Sequence, residues 1–129
     1  RQRQMCIRDR WEKASGDGDT KAALITGVVI ARNDFIEAHP DAVETFLQQY
    51  EASVNYVNDN VAEAAVLVGN YDIVAAQVAE KAIPECNITF IAGNDMKAKL
   101  SSYLGILFEQ NPAAVGGALP NDDFYYNAD

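Results

Sequence analysis

A nearly uninterrupted apolar run close to the start of the chain constrains its fold more than any other feature. Residues 22–31 read Ala-Ala-Leu-Ile-Thr-Gly-Val-Val-Ile-Ala and have no polar face. This pattern predicts a strand that is buried on both faces. One further strand is predicted at residues 87–91, and two strands do not form a stable sheet in water. We therefore expect the partner strands to lie outside this sequence, which would make the chain the C-terminal part of a larger protein.

Composition and charge limit the classes of partner. Hydrophobic residues make up 49% of the 129 residues, which is ample for a core. The net charge is −9. Because phosphate groups are bound by clustered lysines and arginines, this acidic balance disfavours nucleic acid and anionic membrane as partners. We therefore expect no nucleic-acid partner.

Residues 1–10 differ from the rest of the chain. They are basic and aperiodic, and they lack the apolar stretch and cleavage site of a secretory signal. Residues 5–10 can be encoded by the end sequence of a transposon-based sequencing adapter. We interpret residues 1–10 as such an artefact and residues 11–129 as the native segment; the alternative is a native N-terminus.

Most of the remaining sequence predicts helices, from apolar residues at helical spacing and from capping residues. The predicted helices are a short turn capped by Asn33, a helix from Pro40 to Asn58, a helix over 61–68 with Asn60 and Glu63 as a capping box, a helix over 73–82 capped by Asp72, and a helix opening at residues 93–95 and ending at Gln110. The last of these carries an apolar stripe that includes Leu104. The aromatic residues Phe46, Tyr50, Tyr103 and Phe108 are predicted to lie in the core.

No known catalytic motif is present. The sequence has no Gly-rich phosphate loop, metal-ligand spacing or nucleophile elbow. Beyond residues 1–10 the only cysteine is Cys86, which is predicted to be a buried structural thiol; a catalytic pairing with His39 is the alternative. A second catalytic alternative is a hydrolase site made of paired carboxylates on the acidic faces of the helices. We expect no catalytic residue, no metal and no cofactor.

Thr26 and Gly27 interrupt the apolar run: Thr26 places a hydroxyl in a strand that is predicted to be buried, and Gly27 lowers the strand propensity. A glycine in a strand permits close packing, a bend, or the approach of a ligand to the backbone. The structural interpretation is a packing or bend glycine. The functional one is a hinge or a ligand-binding position, with the Thr26 hydroxyl as a donor. We take Thr26 and Gly27 as the candidate ligand-binding residues and leave Arg32 out, because it could equally face solvent or pair with Asp34.

An ordered set of segments carries a resemblance to a known family. The segments are Trp11-Glu12-Lys13, the stretch from Leu24 to Ile36, His39-Pro40-Asp41-Ala42-Val43, the stretch from Ile83 to Ile88, and the tail from Gly116 to Tyr126. Taken together, they resemble the C-terminal part of ABC-transporter substrate-binding proteins of the sulfonate, nitrate (taurine-type) and thiamine-precursor group. The resemblance covers residues 11–129.

The resemblance implies a fold and a function. The fold class would be α/β: a helix-rich C-terminal portion of one lobe of a two-lobe, type II periplasmic-binding-protein-like fold, with its sheet incomplete in this segment. The function would be to bind a small-molecule solute between two lobes, without catalysis, and to present it to ABC permease subunits in the membrane. The protein would be extracytoplasmic, periplasmic or anchored as a lipoprotein. Most solute contacts would then lie outside this segment.

Two other functions remain open at this point. One is a helical interaction or structural module whose face is the helix over residues 41–58. The other is an enzyme of the pyrimidine-synthesis type, which shares the fold of the binding proteins. Sequence upstream of Trp11 would discriminate between them.

Overall fold

The computed structural model describes Trp11 and residues 23–127. In this part of the chain the regular structure is helical. The α-helices are α1 (Asn33–Ala38), α2 (Pro40–Asp59), α3 (Val61–Asn70), α4 (Ala76–Ala82) and α5 (Gly93–Gln110), and short 3-10 helices span Ile83–Glu85, Pro112–Val115 and Asp122–Phe124. The chain divides into two compact units: a middle unit, Ile30–Phe90, and a terminal unit formed by Arg1–Val29 and Ile91–Asp129.

In the middle unit, α2 begins where the sequence predicts. Pro40 occupies the first turn, where its missing N–H costs no hydrogen bond, and Asp41 places a carboxylate at the positive end of the helix dipole. Val43 and Val54 are the buried residues of this helix. The helix ends when Asn60 leaves helical geometry, with its backbone N–H donating to the Tyr56 carbonyl at 2.9 Å.

Small side chains let α3 and α4 pack closely. Ala64 and Ala65 of α3 form a buried cluster with Ala79 and Ile83, and Val57, Val61, Val68 and Ile88 pack around it. At Gly69 a Cβ atom would lie 3.1 Å from the Ala76 Cβ, so a larger residue there would push against the start of α4. The Asn58 side-chain amide donates to the Ile88 carbonyl at 3.0 Å and holds the segment after the 3-10 helix against α2.

The terminal unit is built on α5. Its apolar stripe is half-buried, and none of its residues is fully buried. The Tyr103 ring contacts Trp11 with centroids 4.7 Å apart. The Lys97 ammonium lies 3.0 Å from an Asp122 carboxylate oxygen and 6.0 Å from the centre of the Tyr125 ring, which is buried. These contacts hold the end of the chain against α5.

The α/β fold-class prediction is wrong for the residues that the structure describes. No strand or sheet occurs among residues 23–127, so the two-lobe fold with an incomplete sheet is not what this part of the chain forms. Residues 23–31 make no backbone–backbone hydrogen bond to any other described residue, and Val28, Val29 and Ile30 are 60%, 55% and 84% exposed. The prediction that this run is buried is wrong. An apolar sequence favours burial, but burial also requires neighbouring elements to cover the run. Residue 22 lies outside the described residues.

The second predicted strand also fails. Asn87 has φ of +50°, a left-handed conformation that does not begin a strand, and residues 87–91 make no backbone–backbone hydrogen bond within the described chain. The predicted aromatic core is wrong in part as well. Phe46 and Tyr50 stack on each other with centroids 5.6 Å apart but stay 45% and 40% exposed.

Some of the predicted helix boundaries are confirmed and others are wrong. The helices from Pro40 and from Gly93 are confirmed, each to within a residue or two of its predicted ends. The capping box is wrong, because the Asn60 side chain makes no cap hydrogen bond to α3. The helix at 73–82 begins only at Ala76, because Asp72 has φ of +53° and cannot act as its N-cap. Residues 1–10 lie outside the described part.

Candidate functional site

Thr26 and Gly27 lie in the stretch of irregular backbone that precedes α1. Both are exposed. Neither backbone makes a hydrogen bond to another described backbone group, and the Thr26 hydroxyl has no partner among the described residues. Their backbone N–H groups and the hydroxyl are therefore open to solvent and to any ligand that reaches them.

The geometry at Gly27 bears on one of its interpretations, that of a packing glycine. A Cβ atom built at Gly27 would meet nothing within 4 Å, so no described group packs against it. Gly27 is also not among the glycines with positive φ, which are Gly93, Gly116 and Gly117. Neither close packing nor a left-handed backbone requires a glycine here. The bend, the hinge and the ligand-binding position stay predictions.

A shallow depression of about 550 Å³ lies along α1 in the middle unit. Its lining combines apolar, charged and imidazole side chains. The lining residues are Ile30, Ala31, Arg32, Asp34, Phe35, Ala38 and His39. Thr26 and Gly27 are not among them. The structure therefore does not join the predicted ligand-binding pair to this depression.

Electrostatics at the depression are set by an ion pair. Arg32 donates from Nε to Asp34 Oδ1 at 2.9 Å, and a second short contact joins its Nη2 to Oδ2. The pairing of Arg32 with Asp34, one of the two options left open by the sequence, is the one observed. Because Asp34 neutralises the guanidinium, Arg32 adds little net attraction for an anion. The Phe35 and His39 rings close one side, with centroids 5.0 Å apart.

Tyr56 carries the one resolved pKa shift in the described part of the chain. Its hydroxyl donates to Glu63 Oε2 at 2.8 Å, linking α2 to α3. This hydrogen bond is the main reason that the pKa of Tyr56 is raised above its usual value; partial desolvation and the nearby Glu63 charge act in the same direction. The pair is a structural link between two helices.

Cys86 does not take the place predicted for it. It is exposed after the 3-10 helix, where the sequence predicted a buried thiol. The preceding proline ends α4 in a 3-10 turn, and that turn directs the cysteine outward. Among the residues that the structure describes, no group of three or more His, Cys, Asp or Glu side chains is arranged to hold a metal ion.

Sequence reasoning missed the depression beside α1. The residues that line it are consecutive or one helical turn apart. The spacing of Arg32 and Asp34 was the one sequence feature that could have indicated an ion pair at this place. That spacing does not by itself show which side the pair faces, and a depression depends on how α1 is oriented. In the described part of the chain, no helix has the length and hydrophobicity needed to cross a bilayer.

Comparison with known proteins gives no related site. No protein-family model, no curated protein and no solved structure matches this chain. Any function assigned to Thr26 and Gly27 therefore depends on their own surroundings and on the resemblance carried by the sequence.

Proposed function

We propose that this chain is part of the solute-binding component of an ABC importer, which binds a small molecule outside the cytoplasm and passes it to permease subunits. The proposal does not make the protein an enzyme. It rests on the ordered segments from Trp11 to Tyr126, which resemble binding proteins of the sulfonate, nitrate and thiamine-precursor group. No sheet occurs in the described residues, so the structural support comes from the candidate site.

The open backbone at Gly27 is the observation that carries the proposal. Binding sites for small molecules orient their ligands with a few polar groups, often backbone N–H groups and hydroxyls. Thr26 offers a hydroxyl with no described partner, and Gly27 leaves space for close approach to the main chain. A packing glycine would have had neighbours within van der Waals distance. Thr26 and Gly27 therefore offer polar groups at a position against which no described group packs.

These groups suit an oxyanion or a polar heterocycle. Neutral N–H and O–H donors can bind the oxygens of a sulfonate or nitrate, or the ring nitrogens of a thiamine-precursor pyrimidine. Arg32 is engaged by Asp34 and is not included among the solute contacts. Solute binding would work by shifting an open–closed equilibrium, since a ligand that contacts the closed state better increases its population.

Replacing Gly27 with valine tests the proposal in the intact gene product. The added side chain fills the space above the backbone, so we expect the affinity for the bound solute to fall at least about tenfold. Isothermal calorimetry with taurine, nitrate and a thiamine-precursor pyrimidine measures the affinity, and the melting midpoint without solute measures stability. Gly105→Val is the matched control, because a Cβ at Gly105 also meets nothing within 4 Å.

The outcomes separate the interpretations. Weaker binding in Gly27→Val with an unchanged melting midpoint, and normal binding in Gly105→Val, would support the site. A lowered midpoint with unchanged affinity would make Gly27 a structural residue and remove it from the site. Failure of the intact protein to bind any of the three probes would count against this group of solutes.

A helical interaction module is the second candidate, and one observation favours it. The described chain is helical, and α3 with the turn that follows exposes Val66, Leu67, Tyr71 and Ile73. Apolar residues grouped on the surface often mark a protein interface. The gene sequence upstream of Trp11 discriminates: a secretory or lipoprotein signal followed by alternating strands and helices supports the binding protein, and its absence supports the module.

A further inference from the structure

The segment that follows the 3-10 helix Ile83–Glu85 contains the one Asn-x-Ser/Thr sequon of the sequence, Asn87-Ile88-Thr89. In a protein that leaves the cytoplasm, such a sequon is an acceptor for an N-linked glycan, provided that its middle residue is not proline. Glu85 stands two residues before the asparagine, where bacterial oligosaccharyltransferases require an acidic side chain. Because a pattern this short also arises by chance, the surroundings of its residues decide whether it can be used.

The two side chains that a transferase must reach are both accessible. Asn87 and Thr89 are exposed, whereas Ile88 between them is half-buried and packs against the buried cluster of α3 and α4. The Asn87 side-chain amide donates to the Glu85 carbonyl only at 3.5 Å, so it is weakly held. The Thr89 hydroxyl donates to the Asn87 carbonyl at 3.0 Å. The sequon therefore presents its amide to solvent with the hydroxyl nearby.

The backbone of the sequon can leave the surface without the opening of a helix. Residues 87–91 make no backbone–backbone hydrogen bond within the described chain, and Asn87 has the left-handed φ of +50° that asparagine tolerates in loops. The Asn58 amide, which donates to the Ile88 carbonyl at 3.0 Å, attaches the segment to α2. A segment with so few backbone bonds opens at a low cost in free energy. An enzyme can therefore draw it into its own peptide-binding site.

We propose that Asn87 is an acceptor for an N-linked glycan. The co-substrate is an oligosaccharide carried on a polyprenyl diphosphate. The Asn87 Nδ2 attacks the anomeric carbon of the first sugar, and the bond from that carbon to the diphosphate oxygen breaks. The polyprenyl diphosphate leaves, and one Nδ2 proton passes to a base of the transferase. The inference rests on the proposed function in one respect, since the transfer takes place outside the cytoplasm.

Transfer in vitro to the purified, folded full chain tests the proposal. A purified bacterial oligosaccharyltransferase and a polyprenyl-diphosphate-linked oligosaccharide are the probes, and intact-mass spectrometry with peptide mapping detects the product. We expect one glycan per chain, on Asn87. Asn87→Asp keeps a side chain that tolerates the left-handed backbone but lacks the acceptor nitrogen, so it should abolish transfer. Thr89→Val should abolish transfer as well, whereas Thr89→Ser keeps the hydroxyl and should retain it.

A sequon placed inside a helix is the matched control. In the Asn87→Asp chain, Ser53→Asn combined with Asn55→Thr gives the same Glu-x-Asn-x-Thr pattern over residues 51–55 of α2, and both substituted positions are exposed. Because the helix has to open before this sequon can bind, we expect transfer at least about tenfold slower than to the parent chain. Circular dichroism checks that the helical content of the control is unchanged.

The outcomes are distinct from those of the solute-binding test. A parent chain that receives no glycan, or an Asn87→Asp chain that is still modified, would overturn the proposal. Equal rates for the helical control and the parent chain would contradict it too, because open backbone would then not select the site. The assay requires neither export nor solute. A chain that is modified but binds none of the three solute probes would remove the proposed function and leave Asn87 as an acceptor.

Discussion

The hydrogen bond between Tyr56 and Glu63 gives the clearest prediction for a single residue. The Glu63 carboxylate favours the protonated phenol and raises the pKa of Tyr56. We expect Glu63→Gln to lower the pKa of Tyr56 towards its usual value near 10, because a neutral acceptor holds the proton less strongly. Titration of the tyrosine ring carbons by NMR measures the shift. Glu51→Gln, which removes a charge from α2 without breaking this bond, should leave the pKa of Tyr56 unchanged.

The sign of the accompanying stability effect follows from linkage. Because the pKa of Tyr56 is higher in the folded chain than in the unfolded one, its contribution to stability is complete below the unfolded value near 10 and is lost as pH rises through the folded value. Unfolding by urea at pH values on either side of 10 should therefore show a steeper loss of stability in the parent chain than in Glu63→Gln. An equal loss in both would show that the bond does not form in solution.

The same two positions show where residue-level sequence reasoning stops. Asn60 and Glu63 have the spacing of a capping box, and that spacing is correct for the start of α3. The side chains bind elsewhere: the Asn60 amide donates to the Tyr56 carbonyl at 3.1 Å, and Glu63 accepts from the Tyr56 hydroxyl. Tyr56 competes for both groups, and its position depends on how α2 meets α3. Local spacing contains no information about that competitor.

Helices were more predictable than strands in this chain because a helix satisfies its own backbone. The spacing of apolar residues was enough to locate α2 and α5. A strand needs hydrogen-bonding partners from elsewhere, and residues 22–31 were assigned as one on composition alone. The described part of that run makes no backbone–backbone hydrogen bond. Its hydrophobicity favours contact with other apolar groups but does not identify them. Thr26 and Gly27 could be selected from sequence, but the open space at Gly27 could not.

Side chains are packed more tightly around α3 and α4 than around α5, and one alanine substitution in each place measures the difference. Ile83 is buried against the alanines of α3 and α4, so Ile83→Ala should lower the free energy of unfolding of the chain by about 2–5 kcal/mol. Leu104 was predicted to be a core residue of α5, but its side chain is half-buried here. Leu104→Ala should therefore cost less than about 2 kcal/mol, because fewer contacts are lost. Urea unfolding followed by circular dichroism gives both values. A larger cost at Leu104 than at Ile83 would reverse this order and support a core around α5.

At the scale of the whole chain, the described residues are mostly helical but bury little apolar volume. The described core consists of a few valines, a tyrosine and a cluster dominated by alanines, whereas phenylalanines and branched residues remain on the surface. Hydrophobic stabilisation scales with the apolar area removed from water, and alanines remove little. A 129-residue sequence with 49% hydrophobic residues has the composition for a larger core than its described part forms. The surplus apolar side chains stay exposed and are the physical basis for the candidate interaction surface.

Thermal unfolding of the monomer provides the corresponding test. A fully cooperative domain of this length would unfold with an enthalpy of about 90 kcal/mol near 60 °C. We expect a broad transition with an enthalpy well below that value, because in the described part of the chain residues 23–31 and 87–91 make no backbone–backbone hydrogen bonds and the buried cluster is small. Scanning calorimetry at low concentration avoids stabilisation by association. If residues 1–10 are an adapter artefact, a chain that begins at Trp11 should give the same trace. A sharp transition with the full enthalpy in a monomer would show instead that the chain has a complete core of its own, and the proposal that it belongs to a larger binding protein would lose its physical support.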